Sequence, residues 1–353
     1  MSGIGLPRSR IFQIGLFAAV LTASCAGSGA DVLAQARVEV RVGTLGAISD
    51  APIFIADKKG FFRDEGIDVK MTVFQSAATM VAPLGAGHLD VGAGSPSAGM
   101  YNAVARKIDI RIVADKAMST PGYGATKLIV RKDHVDSGRF KTLADLKGMK
   151  VAGNAPGVSN TAMLNAMLTS VGLKYSDVDV LNLAFPDHLV ALQNKSIDAG
   201  ATIEPIATLA VQAGHAVEIM RDDQIYPDHQ IATLIYAEEF AKKRDLGIRF
   251  MKAYVRGIRF YVSALKDGRL AGSTADEVID ILTEYTAVKN KDLLRKITPT
   301  GMDPDGRVNT ASLQRDLDFY ASQGLVDSKI DVSRIVDMSF AIEAVKLLGP
   351  FKQ

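Results

Sequence analysis

The stretch VGAGSPSAGMYN, residues 91–102, sets Gly92, Gly94 and Gly99 around Ser95 and Ser97, directly after an apolar run. A loop of that composition can hold a phosphate, hold a dinucleotide or present a nucleophile, and the spacing fails each known form. A dinucleotide loop needs Gly where Ser97 stands, a Walker loop needs Lys where Met100 follows Gly99, and a nucleophile elbow around Ser97 needs Gly where Ser95 stands. What such a loop can still do is bind. Glycines let backbone approach a ligand closely, and a helix start offers N–H groups without partners. Ser76, Ser95 and Ser159 each stand where a helix is expected to begin, with Ser95 as cap and Pro96 at the first helical position. Three helix starts facing one way would hold an anionic or carbonyl-bearing group without Lys or Arg.

Other reactive types are sparse. The five histidines, at 88, 134, 188, 215 and 229, show no metal-ligand spacing, and His188 is the one worth testing as a contact. No Ser/His/Asp set stands out, although triads are spatial rather than sequential. The single cysteine, Cys25, lies near the N-terminus, so the folded part is expected to lack disulfides and thiolate metal sites. No cofactor and no metal are expected.

The elements that must position these residues repeat. Residues 38–44 read as a strand, 51–62 as an amphipathic helix, 66–74 as a strand, the stretch after Ser76 as a helix and 89–94 as a strand. From residue 150 the same order returns: strand 150–154, helix 159–172, strand 177–185, helix 187–195, strand 197–203, then Glu204-Pro205 before a further helix. LGAGHLDVGAGSP in the first half matches LQNKSIDAGATIEP in the second, with Asp90 and Asp198 in corresponding places. Strand–helix alternation predicts an α/β protein of two lobes, each a mostly parallel sheet flanked by helices, with ligand-binding loops after the strand C-termini. Segments 125–150 and 229–243 carry the chain from one lobe to the other and back. Residues 37–128 then form the first part of lobe 1, 129–232 lobe 2, and 233–353 the return to lobe 1 with C-terminal helices.

Composition sets the compartment. Arg8 and Arg10 precede an apolar run over 11–21 and an Ala-Gln-Ala at 34–36, the order of a secretory signal over residues 1–36. The run is too short to span a bilayer, which takes about 20 apolar residues. Cleavage after Ala36 and lipidation of Cys25 are alternative endings, and both predict an exported, periplasmic protein. The chain has 353 residues and a net charge of +2, with no electrostatic footprint for nucleic acid.

VRVGTLGAISDAPIFIADKKGFFRDEGIDVKMTVF, LDVGAGSPSAGMYNAVARKIDIRIVA, LADLKGMKVAG and IEPIATLA resemble the nitrate/sulfonate/taurine-type periplasmic substrate-binding proteins of ABC importers, as does the tail from Gly306 to Phe340. The resemblance implies the type II periplasmic binding fold and a monomeric receptor. Such a receptor would capture a small-molecule ligand between its lobes and deliver it to an ABC permease in the inner membrane. Delivery to a sensor protein, or a pyrimidine-synthase-like enzyme on the same fold, are the alternatives. The cysteine-rich iron motif of those synthases has no counterpart here. Carried over piece by piece, the cleft residues are Leu45 to Asp50, Ser76, Gly94, Ser95, Pro96, Thr120 to Tyr123, Asn154, Ser159, Asn160, Thr161, Asp187, His188 and Glu204. These loops hold no Trp, Arg or Lys, whereas Asp50, Asp187 and Glu204 invite an amine or heteroaromatic N–H donor.

Overall fold

The structure is a computed structural model that describes residues 37–327 and 330–352. Residues 1–36, which read as a secretory signal, and Cys25 within them lie outside the described residues. The first half runs β1 (Val38–Thr44), α1 (Ala51–Lys58), α2 (Phe61–Asp64), β2 (Ile67–Val73), α3 (Val81–Gly85), β3 (Val91–Gly94), α4 (Ala98–Ala105) and β4 (Ile110–Met118). The second runs β5 (Thr126–Arg131), α5 (Lys132–Asp136), β6 (Lys150–Gly153), α6 (Ser159–Thr169), β7 (Asp179–Asn182), α7 (Phe185–Gln193), β8 (Ala199–Ile203), α8 (Ile206–Gln212), β9 (Ala216–Arg221), α9 (Asp222–Ile225) and β10 (Gln230–Ala237). Helices α10 (Glu238–Ala241), α11 (Arg244–Val262), α12 (Ala275–Tyr285), α13 (Lys291–Lys296), α14 (Thr310–Ser322) and α15 (Ser339–Leu348) complete it. Where the sequence suggested one helix over 51–62, Gly60 at φ +78° breaks it between α1 and α2.

The repeat read from sequence is a repeat of topology. One five-stranded sheet has the order β2-β1-β3-β10-β4 and the other β7-β6-β8-β5-β9. In each, the first three strands in that order are parallel and an antiparallel strand sits fourth, β10 in the first sheet and β5 in the second. The corresponding aspartates explain why the pattern shows in the sequence. Asp90 Oδ2 accepts the Arg41 backbone N–H at 2.8 Å, and Asp198 Oδ2 accepts that of Lys150 at 3.0 Å. Asp90 N–H and Asp198 N–H donate in turn to the carbonyls of Arg41 and Lys150. Each aspartate therefore ties the start of the third strand to the first, which fixes where the third strand's C-terminal loop emerges.

Packing follows the alternation of side chains across a strand. Leu128 joins a cluster with Val151, Met163 and Leu168 on one face of the second sheet, and Ile129 joins Ala152, Leu192 and Ala207 on the other. The first sheet shares one larger core with α1 and α11, through Val42, Ile53, Phe54, Phe250 and Tyr254. Among the described residues, no helix is long and apolar enough to cross a membrane.

The chain passes between sheets at 119–125 and again at 222–229, and carboxylates lace the two passages. Ser119 Oγ donates to Asp222 Oδ2 at 2.6 Å, and Gly122 N–H donates to Asp223 Oδ2 at 2.9 Å. Just before the first passage, Asp115 is fully buried and accepts hydrogen bonds from Gln230 Nε2 and Asp303 N–H, both at 2.7 Å. Burial pushes the Asp115 carboxyl up to about 7 and that of Asp222 to about 6, from an ordinary 3.8. The folded state thus keeps protons that the unfolded chain releases above pH 4, so this contribution to stability is complete below that point. It is lost as pH rises toward the folded values, at up to about 1.4 kcal/mol per pH unit for each proton. Asp115→Asn should flatten the fall of the unfolding midpoint between pH 4 and 7. An unchanged slope in the variant would show that Asp115 does not carry it.

Candidate functional site

The C-terminal ends of β1 and β3 in one sheet face those of β6 and β8 in the other, where open α/β sheets place ligands. Between them lies a chamber with about 550 Å³ of space free of protein atoms, counted out to solvent. Leu45, Ser49, Ser95, Asn154, Ser159 and Asn160 line it, with Phe185, Val158 and Ile231 as apolar wall. A second, more apolar chamber of about 390 Å³ adjoins it, bounded by Ile48, Ala117, Glu204, Pro299 and Thr300. Ala47, Ser49, Thr126, Ile203 and Ile231 border both, so they form the neck.

Two hydrogen bonds close the cleft from the two sides. Ser159 N–H, at the first residue of α6, donates to Ser95 Oγ at 2.9 Å, and Ala98 N–H donates to the Gly157 carbonyl at 2.8 Å. Asn160 braces the floor: its Oδ1 accepts Asn154 N–H at 3.0 Å and its Nδ2 donates to the Ala201 carbonyl at 2.7 Å. That bridges the ends of β6 and β8. The side-chain amide of Asn154 has no partner among the described residues and borders the chamber.

Among the described residues, only Lys116 and Glu204 carry charge in the lining of the two chambers, and both are matched inside the protein. Lys116 Nζ lies 2.9 Å from Asp50 Oδ1, with both side chains 0% exposed, and it donates to Ser49 Oγ at 2.8 Å. Asp50 Oδ2 accepts Leu45 N–H and Ala47 N–H at 3.1 and 2.9 Å, which shapes the loop after β1. Its Oδ1 makes no directed hydrogen bond, so it meets the ammonium as an ion pair. A bulge aims the lysine. Pairing of β4 with β10 passes from Asp115↔Thr233 to Ala117↔Ala232 and skips Lys116. Glu204 is held by Lys127 Nζ at 2.7 Å, by Thr208 Oγ1 and N–H, and by Thr298 N–H at 3.3 Å.

Comparison with known proteins agrees with this architecture. A family model described as NMT1/THI5 like matches residues 48–264, more than half of the chain. This chain belongs to that family. A Bacillus subtilis (strain 168) protein named as an aliphatic sulfonates-binding protein is 28% identical over 344 residues, covering 92% of this chain and 94% of its own. The periplasmic nitrate-binding protein NrtA of Synechocystis PCC 6803 superposes with a TM-score of 0.73 at 15% identity, covering 88% of this chain and 89% of its own. The alkanesulfonate-binding protein SsuA of Xanthomonas axonopodis pv. citri, solved bound to MOPS, gives 0.68 at 16% identity, with 85% and 98% covered. The NMT1/THI5-like chain thus has the two-lobed periplasmic binding-protein fold that its sequence led one to expect.

Within this NMT1/THI5-like fold, Leu45, Ser95, Asn154, Ser159 and Asn160 gather at the first chamber and Glu204 at the second. The expected helix start is displaced: Ser97, not Ser95, caps α4, accepting Met100 N–H at 3.2 Å, and Pro96 precedes the helix. Ser95 reaches across the cleft instead. Ser159 is the first residue of α6, and Ser76 precedes a short 3-10 turn without a side-chain cap bond. Gly94 lies beneath the lining, where a Cβ would meet Ala77 Cβ at 2.6 Å. Thr161 is buried and donates its hydroxyl to the Val158 carbonyl at 2.8 Å. Tyr123 is half-buried outside the lining, and Asp187 is exposed on α7. His188 is fully buried with Nε2 3.1 Å from the Leu183 carbonyl, and burial lowers its pKa, which keeps the ring neutral packing. The acids do not invite an amine: Asp50 and Glu204 already hold lysines. Ser49 lies in the expected loop from Leu45 to Asp50, whereas sequence reasoning missed Thr126 and Lys116, the latter because it faces the cleft only through a bulge.

Proposed function

We propose that this protein is an extracytoplasmic solute receptor that captures a small organic anion between its lobes and delivers it to an ABC permease. In this reading the expected boundaries at 128/129 and 232/233 move to the passages at 119–125 and 222–229, with the chain before the first and after the second forming one lobe and the stretch between them the other. Residues 1–36 direct export to the periplasm, and the receptor acts as a monomer. The observation that carries it is the chamber at the strand C-termini of both sheets, with the first turn of α6 at its edge and no unmatched carboxylate in its lining. An anion finds the positive end of a helix there, and the lining holds no unmatched carboxylate to favour a cation. The names of the relatives, for aliphatic sulfonates and nitrate, agree with an oxyanion.

A thermal-shift panel of taurine, alkanesulfonates, nitrate, aromatic carboxylates, pyrimidines, flavin precursors and simple amines tests this. A ligand at 100 times its Kd adds about 2.7 kcal/mol. Stabilisation confined to anions is expected. Stabilisation by amines alone, or by nothing in the panel, overturns the anion reading.

A further inference from the structure

We propose that Ser49 is the specificity-determining residue at the neck of the cleft, locked by Lys116 as a hydrogen-bond donor that demands an uncharged oxygen acceptor on the ligand beyond its anionic head. The inference rests on the receptor reading and deepens it by naming a feature of the substrate.

Ser49 is half-buried and borders both chambers. A hydroxyl has one hydrogen and can otherwise accept, and a free serine rotates to suit either partner. Here the choice is made. Lys116 Nζ donates to Ser49 Oγ at 2.8 Å, and an ammonium can only donate. The serine's own hydrogen has no acceptor among the described residues, and the cavity is where it can find one. Lys116 itself is 0% exposed, so it acts through Ser49 and is a positioning residue.

Asp50 sets what kind of acceptor fits. It neutralises Lys116 at 2.9 Å and is held by two backbone N–H groups, so the neck carries a donor without net charge. A second anion placed at Ser49 would lie close to the buried Asp50 carboxylate, and a ligand N–H would face the Ser49 hydrogen with the ammonium behind it. An ether or carbonyl oxygen meets neither obstacle. The anionic head belongs at the α6 end, where Ser95, Asn154, Ser159 and Asn160 converge, and the oxygen belongs at the neck beside Ile203 and Ile231.

Matched alkanesulfonates test this, with two to four methylenes between sulfur and a terminal X–CH3, where X is O, CH2 or NH2+. Calorimetric Kd values for the wild type should favour O over CH2 by about tenfold at the best spacer, and over NH2+ by about a hundredfold, since an unmatched buried donor costs roughly 1–3 kcal/mol. Ser49→Ala should bring O and CH2 to parity, with the CH2 compound binding more tightly than it does to the wild type because no unmatched donor remains. The double variant Asp50→Asn with Lys116→Met removes both buried charges together, which buried pairs tolerate far better than loss of one partner. It should release the Ser49 hydroxyl and collapse the O-over-NH2+ preference, whereas a purely structural role for the pair would weaken all three compounds equally. Parity of O and CH2 in the wild type at every spacer, or a preference that survives Ser49→Ala, overturns the proposal with the receptor reading intact. Failure of every compound to bind the wild type overturns the sulfonate-type receptor reading, and the proposal with it.

Discussion

Glu204→Ala is expected to destabilise the protein by about 3 kcal/mol or more, a large part of the roughly 5–15 kcal/mol that keeps a typical protein folded. Glu204 sits in the cleft lining, yet every contact it makes is internal. Its side chain is 2% exposed and its Oε1 lies 2.7 Å from Lys127 Nζ, itself 5% exposed. Removing the carboxylate leaves that ammonium with Glu218 alone, at 2.8 Å and at the protein's edge. It also orphans Thr208 N–H, the Thr208 hydroxyl and Thr298 N–H, each worth about a kilocalorie or more when buried without a partner. The Thr298 bond matters beyond its energy, because it joins the loop after β8 to the segment between α13 and α14. Chemical denaturation of the variant, with the slope unchanged and the midpoint lowered, is the expected result. If the variant keeps wild-type stability and loses ligand affinity instead, Glu204 is a ligand contact.

That distinction shows where the sequence is informative. The order of strands and helices, the repeat and the loops at the strand ends are all legible, because they rest on local periodicity and on aspartates repeated at matching places. Asp90 and Asp198 drew attention as a pattern, and the structure gives the pattern its cause in the paired bonds to Arg41 and Lys150. The cleft's electrostatics are not legible. Asp50 and Glu204 look like free acids on loops, and each is neutralised by a lysine far along the chain. Lys116 stands in a strand whose alternation gives no hint that a bulge turns it toward the cleft. Lys127 lies within an apolar strand that, in the sequence, reads as a simple connection between lobes. Sequence spacing locates a loop, but which side chain meets which depends on register, and a bulge of one residue changes it.

The two-lobed reading is tested most severely at Gly157. Gly157→Val is expected to weaken ligand binding by about ten- to a hundredfold with the fold preserved. Gly157 lies in the loop between β6 and α6 at φ +62°, and a Cβ there would stand 2.5 Å from Ala98 Cβ on the opposite side of the cleft and 3.5 Å from Ala98 N. No rotamer relieves a clash at Cβ. The loop must therefore retreat, breaking the Ala98 N–H to Gly157 carbonyl bond and drawing Ser159 away from Ser95. In an open–closed equilibrium the strain of a β-branched residue at positive φ would be common to both forms and cancel, whereas the clash with Ala98 would be confined to the form in which the two loops meet. If closure is required for tight binding, the apparent Kd rises in proportion to the closed population lost. Gly172→Ala supplies the control, since Gly172 has φ +76° and nothing within 4 Å of its built Cβ. It should lower stability by about a kilocalorie through backbone strain and leave affinity unchanged. Scattering of the Gly157 variant at saturating ligand should give a larger radius of gyration than wild type. Wild-type affinity and radius in that variant would mean that the Ala98–Gly157 contact is not part of the ligand-bound state, and that the cleft closes elsewhere.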